Sequence, residues 1–315
     1  MKTIYLHQQQ EPLEPCVATV GFFDGVHRGH QYLIGQMNRY AQAQGLPSTV
    51  ITFDRHPREV LGSDYQPQLL STFDEKLQLL SQTGVDQCVV LPFSRAMAAL
   101  EAREFMEQIL LRRLSVKRLY IGYDNRFGHN RSEGFDHYMA YGHELGIEVV
   151  RSEAFVLNGI HISSSVVRSF VEAGEVDLAA QCLGYPYTVY GKVVGGFQEG
   201  RKMGFPTANI QLTDSQKLVP APGVYAVRAR LEHGGDEKPA MMNIGTRPTF
   251  GGHHLTMETH ILNFSEDLYD SMLGVSFVRR IREERCFENP SALRHQLIED
   301  EHAVEELFRS ETGNK

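Results

Sequence analysis

The stretch from Val17 to Gln44 limits the fold more than any other part of this chain, because it reads as a strand, a glycine-rich turn and a helix in direct succession. Val17-Ala-Thr-Val20 is short, apolar and β-branched, as a buried strand is. From Gln31 on, the spacing of Tyr32, Leu33, Ile34, Met37 and Tyr40 suits one face of a helix over 31–44. Between them stand Gly21, Gly25 and Gly29, which permit a sharp turn and a close approach to a ligand. The first turn of such a helix offers free N–H groups and the positive end of its dipole to an anion. His27 and His30, three residues apart, project beside that first turn. As hydrogen-bond donors they suit negative charge developing on a phosphoryl group. A histidine pair also serves metals, but no Cys-x-x-Cys, H-E-x-x-H or nearby carboxylate cluster completes a shell.

The same alternation continues. Strands are expected at 17–20, 49–53, 87–91, 118–121 and 148–150, with helices at 31–44, 73–83, 103–114 and 134–145. That rhythm predicts an α/β unit, a parallel sheet covered by helices, with its ligand at the carboxyl ends of the strands. Two further helical stretches, 164–172 and 176–182, precede a change of texture. After Gly184-Tyr-Pro186, short strands broken by Gly and Pro run over 187–194, 223–231, 240–244 and 256–262, and 291–309 is again helical. This second part predicts a β-barrel or sandwich ending in a helix. The expected domains are therefore 1–185 and 186–315.

Gly21-Phe-Phe-Asp-Gly-Val-His-Arg-Gly-His30 resembles the signature of the nucleotidylyltransferase superfamily in the form used by bacterial FAD synthetases. The resemblance implies a Rossmann-like domain that transfers AMP from ATP to FMN and releases pyrophosphate. It makes His27 and His30 catalytic and assigns Gly21, Phe23, Asp24 and Gly29 to ATP phosphate. Ile162-Ser-Ser-Ser-Val-Val-Arg168 resembles the superfamily's I-S-S-T-x-x-R motif, with Ser165 in place of threonine. It adds Ser163, Ser164, Ser165 and Arg168 to the phosphate site. Gly122-Tyr-Asp-Asn-Arg-Phe-Gly128 resembles a segment near the flavin nucleotide. That implies flavin contacts from Asp124, Phe127 and Arg131, while Asn125 stands where an aromatic residue is usual. Thr52-Phe-Asp-Arg-His-Pro57 is similar to the T-F-x-x-H-P turn of the same family.

The second part resembles riboflavin kinases. Gly200-Arg-Lys-Met-Gly-Phe-Pro-Thr-Ala-Asn209 is followed in order by Gly223-Val-Tyr225, Asn243-Ile-Gly-Thr-Arg-Pro-Thr-Phe250 and Glu258-Thr-His-Ile-Leu-Asn-Phe264. The resemblance implies a β-barrel in which Gly200, Arg201, Gly204 and Pro206 meet ATP. Thr207 and Asn209 then meet Mg²⁺, an ion suited by oxygen ligands, and Glu258 takes the proton of the riboflavin 5′-hydroxyl. An alcohol needs such a base; the FMN phosphate, already an anion, does not. No Gly-x-x-x-x-Gly-Lys-Ser/Thr sequence is present, so this is not a P-loop kinase.

Composition fits these expectations. Over 315 residues the net charge is -8, which argues against a general polyanion binder and leaves room for a local nucleotide pocket. The four cysteines are scattered, which suits a reducing compartment. The apolar run after Met1 is too short for a signal peptide, and none reaches the roughly 18 residues of a membrane span. The expected setting is cytoplasmic, with riboflavin, FMN and ATP as small-molecule partners, no nucleic acid and no membrane; the sequence carries no legible signal for a homo-oligomer. Two other readings stay open at this point: a chain that acts chiefly as a kinase because Asn125 weakens the first site, and a flavin-binding protein without turnover. The intact His27, His30, Thr207, Asn209 and Glu258 count against the second.

Overall fold

A computed structural model of the chain describes residues 1–6, 11–60, 62, 68–123, 125–129, 132–196, 200, 203–231, 236–249 and 252–313. The chain divides after Ser164 into two compact units. The helical stretches expected near 164–172 and 176–182 belong to the second of these, although the sequence places the functional boundary near 185.

In the first unit the strands are β1 (Lys2–Tyr5), β2 (Cys16–Val20), β3 (Ser48–Phe53), β4 (Gln87–Leu91), β5 (Val116–Ile121) and β6 (Glu148–Arg151). They form a six-stranded sheet in the order β1-β4-β3-β2-β5-β6, parallel at every described pairing. The chain runs outward from β2 through β3 to β4, then returns to the other side of β2 as β5. The strand order therefore reverses beside β2, the crevice where open α/β sheets bind ligands.

The period of two along β2 divides the core. Cys16, Ala18 and Val20 face a cluster with Phe105, Met106, Leu110 and Tyr138. Val17 faces the opposite cluster with Leu33, Ile34, Met37 and Leu80. The helices of this unit are α1 (Arg28–Gln44), α2 (Pro57–Val60), α3 (Phe73–Ser81), α4 (Arg95–Ala98), α5 (Ala102–Phe105) and α6 (Phe135–Leu145), and all but α2 contribute to these two clusters. The helix expected over 103–114 is instead α5 followed by a π-helical stretch, Met106–Leu111. Strand β1 was not expected, nor was the small antiparallel pair β7 (Val156–Leu157) and β8 (Ile160–His161).

The second unit begins at Ser165, within α7 (Ser164–Ala173), and continues with α8 (Val176–Leu183). A closed barrel follows, in the order β10-β13-β12-β11-β14-β9. Its strands are β9 (Thr188–Val194), β10 (Ala208–Leu212), β11 (Gly223–Leu231), β12 (Lys238–Thr249), β13 (Gly252–Ile261) and β14 (Met272–Arg282). Closure resolves the choice between barrel and sandwich. The last helix, α9 (Pro290–Gly313), packs against the barrel through Val304 and Phe308, which meet Phe205, Ala226, Met241 and Leu262.

Candidate active sites

The first site lies at the carboxyl end of β2. His27 is the N-cap of α1, and its Nδ1 accepts the His30 backbone N–H at 3.3 Å. That bond puts the proton of a neutral His27 on Nε2. The two imidazoles stack with centroids 3.7 Å apart and planes at 17°, and Phe23 meets His30 edge-on at 5.0 Å. Burial pushes His27 down to about 4. Burial, then the neighbouring His27, hold His30 well below the ordinary histidine range. Both rings are thus neutral donors near pH 7. The Nδ1 of His30 is buried without a hydrogen-bond partner among the described residues. Such an orphan needs an explanation, and a bound anion supplies one. Gly29 allows the stack: a Cβ there would come 3.1 Å from the His27 ring and 3.2 Å from the Ile162 carbonyl.

Phe23 and Asp24 contribute differently from their expected contact with phosphate. Phe23 is 2% exposed, in the core, with φ 57. The Asp24 carboxylate, 5% exposed, accepts the backbone N–H groups of Leu70 at 2.9 Å and Ser71 at 3.1 Å. A bulky residue in the left-handed region is strained, and these buried contacts hold the turn in that shape. What the turn can present to a ligand is backbone. Ser164 likewise spends its hydroxyl on the Asp24 carbonyl, at 3.0 Å. Ser163 precedes α7, while Ser165 and Arg168 lie on it in the second unit.

The loop after β5 flanks the reversal of strand order. Asn125 donates from Nδ2 to the Val20 carbonyl at 2.5 Å, tying this loop to the end of β2. Phe127, expected at the flavin, stacks on Tyr138 at 4.2 Å and 11° and packs against the core. Asp124 and Arg131 lie outside the described residues.

The second site is built on adjacent barrel strands. Asn209 on β10 pairs with Glu258 on β13, and Glu258 pairs with Asn243 on β12. Cross-strand partners share a face with Cβ atoms about 5 Å apart, so the three polar groups form one row. Glu258 and Asn243 line a cavity of about 300 Å³, with Phe205, Met241, Leu293 and Leu297 as apolar walls. A second cavity, of about 310 Å³, is lined by Thr259, Ile261 and the segment from Phe264 to Tyr269. Residues 258 and 260 border the first cavity and 259 and 261 the second, so alternation along β13 separates the two. Thr207 borders both. Gly200 borders the Glu258 cavity and Pro206 the other. Gly204, at φ 92, makes the turn between them. Arg201 lies outside the described residues.

Two contributors were not singled out from sequence. Asn243 gains its meaning from the register with Glu258. His260, 7% exposed, lies 2.8 Å through Nδ1 from the Pro206 carbonyl, which can only accept, so Nδ1 donates. It also faces Phe205 edge-on at 5.3 Å and Glu301 at 3.8 Å. The available signal was its place two residues after Glu258 on a strand, hence on the same face.

Asn209 and Thr207 were expected at a divalent ion. A Cβ at Gly196 would fall 2.0 Å from Asn209 Nδ2 and 2.9 Å from its Oδ1, so a glycine there makes room for the amide. Neutral oxygens of this kind suit a hard ion that takes its other ligands from phosphate. Among the described residues no group of three or more His, Cys, Asp or Glu side chains could hold a metal by itself.

Two family models match the chain, FAD synthetase over residues 9–166 and riboflavin kinase over 183–308. A bifunctional riboflavin kinase/FMN adenylyltransferase of Escherichia coli strain K12 is 38% identical over 95% of both chains. One from Bacillus subtilis strain 168 is 33% identical over 98% of both. A solved structure described as a macrolide-efflux protein from Streptococcus pneumoniae matches with a TM-score of 0.87 and 30% identity, covering 97% of this chain and 99% of its own. No described helix of the present chain is long and apolar enough to cross a membrane. On these matches and this order of domains, the chain belongs to the bifunctional riboflavin kinase/FMN adenylyltransferase family.

Proposed function

We infer that this chain makes FAD from riboflavin in two ATP-dependent steps, phosphorylation to FMN in the part after residue 185 and adenylyl transfer in the part before it. The observation that carries this reading is that two chemically different sites stand on two separate units: stacked neutral imidazoles at a helix N-terminus, and a carboxylate beside a shared threonine between two cavities.

In the kinase step riboflavin occupies the apolar cavity with its 5′-hydroxyl at Glu258. ATP occupies the cavity bordered by residues 264–269, and the γ-phosphoryl group crosses at Thr207. Glu258 takes the hydroxyl proton as the oxygen attacks phosphorus and ADP leaves. Thr207 and Asn209 would hold Mg²⁺, which when bound would neutralise charge on the phosphates.

In the adenylyl step the FMN phosphate attacks the α-phosphorus of ATP and pyrophosphate leaves. No protein base is required. His27 and His30 donate hydrogen bonds to the developing charge, and the backbone of the turn and the start of α1 align two anions that repel each other. Ser163, at the end of the first unit, adds a donor on the phosphate side. The cytoplasm suits these reactions, in keeping with free thiols at Cys16, Cys88 and Cys286.

A crossed pair of variants tests the assignment. His30→Ala should lower FAD formation from supplied FMN by about a hundredfold or more and leave riboflavin phosphorylation nearly intact; Glu258→Gln should do the reverse. Equal loss of both activities in either variant would overturn the separation of sites.

A further inference from the structure

Lys76 is a charged side chain of the first unit that neither motif accounts for. It lies on α3 with 2% of its surface exposed, and an ammonium is not buried without strong compensation. Its Nζ donates to the Phe53 carbonyl at the end of β3, at 3.0 Å. The same atom stands 4.2 Å from the centroid of the Phe22 ring and 5.2 Å from that of Phe73. Phe22 belongs to the glycine-rich turn. Its other contacts also run to β3 and the segment beyond: its carbonyl accepts from Thr52 Oγ1 at 3.2 Å, and its ring meets His56 at 4.7 Å. The neighbouring Gly21 N–H donates to the Ile51 carbonyl at 3.0 Å.

We propose that Lys76 is a positioning residue for adenylyl transfer: by clamping the Phe22 face to the carboxyl end of β3, it fixes the Gly21–Phe23 backbone that receives the ATP phosphates and sets a positive charge behind that turn. This rests on the adenylyl-transfer reading of the first unit. A cation over an aromatic face is held more strongly once water is excluded, and a charge behind the turn attracts phosphate across a poorly screened interior. Burial brings the ammonium down to about 8, opposed by Asp24 on the turn, Cys88 on β4 and Asp54 after β3. Burial also lifts the Cys88 thiol to about 11, so it stays neutral while Lys76 loses its proton. The clamp is therefore charged below pH 8 and fades above it.

The test measures FAD formation from supplied FMN and ATP near pH 7 and near pH 9.5, with riboflavin phosphorylation by the same chains as reference. In the unmodified chain, kcat/KM for ATP in FAD formation should fall roughly tenfold relative to that reference as pH rises. Lys76→Arg, which keeps its charge, should lack the fall. Lys76→Met should be low by a similar factor at both pH values, chiefly through KM for ATP. An equal fall in the unmodified chain and Lys76→Arg, or a Lys76→Met variant that matches the unmodified chain, would overturn the proposal. Should circular dichroism show that the lysine variants do not fold, Phe22→Leu keeps the cation and removes the face it holds. KM for ATP should then rise with KM for FMN unchanged; an unchanged KM for ATP contradicts the clamp. FMN production without FAD at any pH, in the unmodified chain, would remove the adenylyl-transfer reading and this proposal with it.

Discussion

At the scale of single residues, His27 and His30 are kept neutral near pH 7 by their burial. This carries a cost at low pH. An unfolded chain protonates His27 near its ordinary value of 6.5, while the folded chain resists down to about 4. Stability should therefore be unaffected at pH 7 and decline as pH falls below 6.5, by on the order of 3 kcal/mol at pH 4. His27→Asn keeps an N-cap acceptor but does not titrate. In thermal unfolding from pH 7 to 4.5, its first unit should lose less in Tm than that of the unmodified chain; parallel losses would contradict the burial argument. His27, His30 and Glu258 stand out in the sequence because the chemistry proposed for each lies in a short run. Phe23 and Asp24 stand in the same run, yet their side chains serve the core and the turn. Asn243, His260 and Lys76 depend on partners far along the chain, which spacing alone does not reveal.

At the scale of elements, the buried parallel strands were the most legible, since β2, β3, β4 and β5 are continuous apolar runs. β1 escaped because an edge strand, half covered, needs no such run. β14 escaped because Arg279, Arg280 and Arg282 break up the apolar run of its later residues, and its pairing with β11 is interrupted by shifts of register. β10 was hidden inside the Pro-Thr-Ala-Asn turn that it continues. The same turn supplies a test. The bond from the buried His260 to the Pro206 carbonyl sets where Thr207 stands. His260→Ala should reduce riboflavin phosphorylation by about tenfold to a hundredfold, with FAD formation from supplied FMN unchanged. His260→Asn, whose amide can donate near the same position, should recover part of the loss; equal activity in all three chains would remove the positioning role.

At the scale of the whole molecule, the order of an α/β unit before a barrel was legible from the change in texture near Gly184, and it agrees with the order of the two family matches. The point of division was less legible, because α7 and α8 read as helices like those before them while they pack with the unit that follows. The two activities of the family run in series, the first yielding the substrate of the second. The measurement that tests this most directly supplies the purified chain with riboflavin, ATP and Mg²⁺ and resolves riboflavin, FMN and FAD over time. FMN should appear first and FAD after a lag, as FMN is consumed. FMN that accumulates without FAD, or no product at all, would contradict the account.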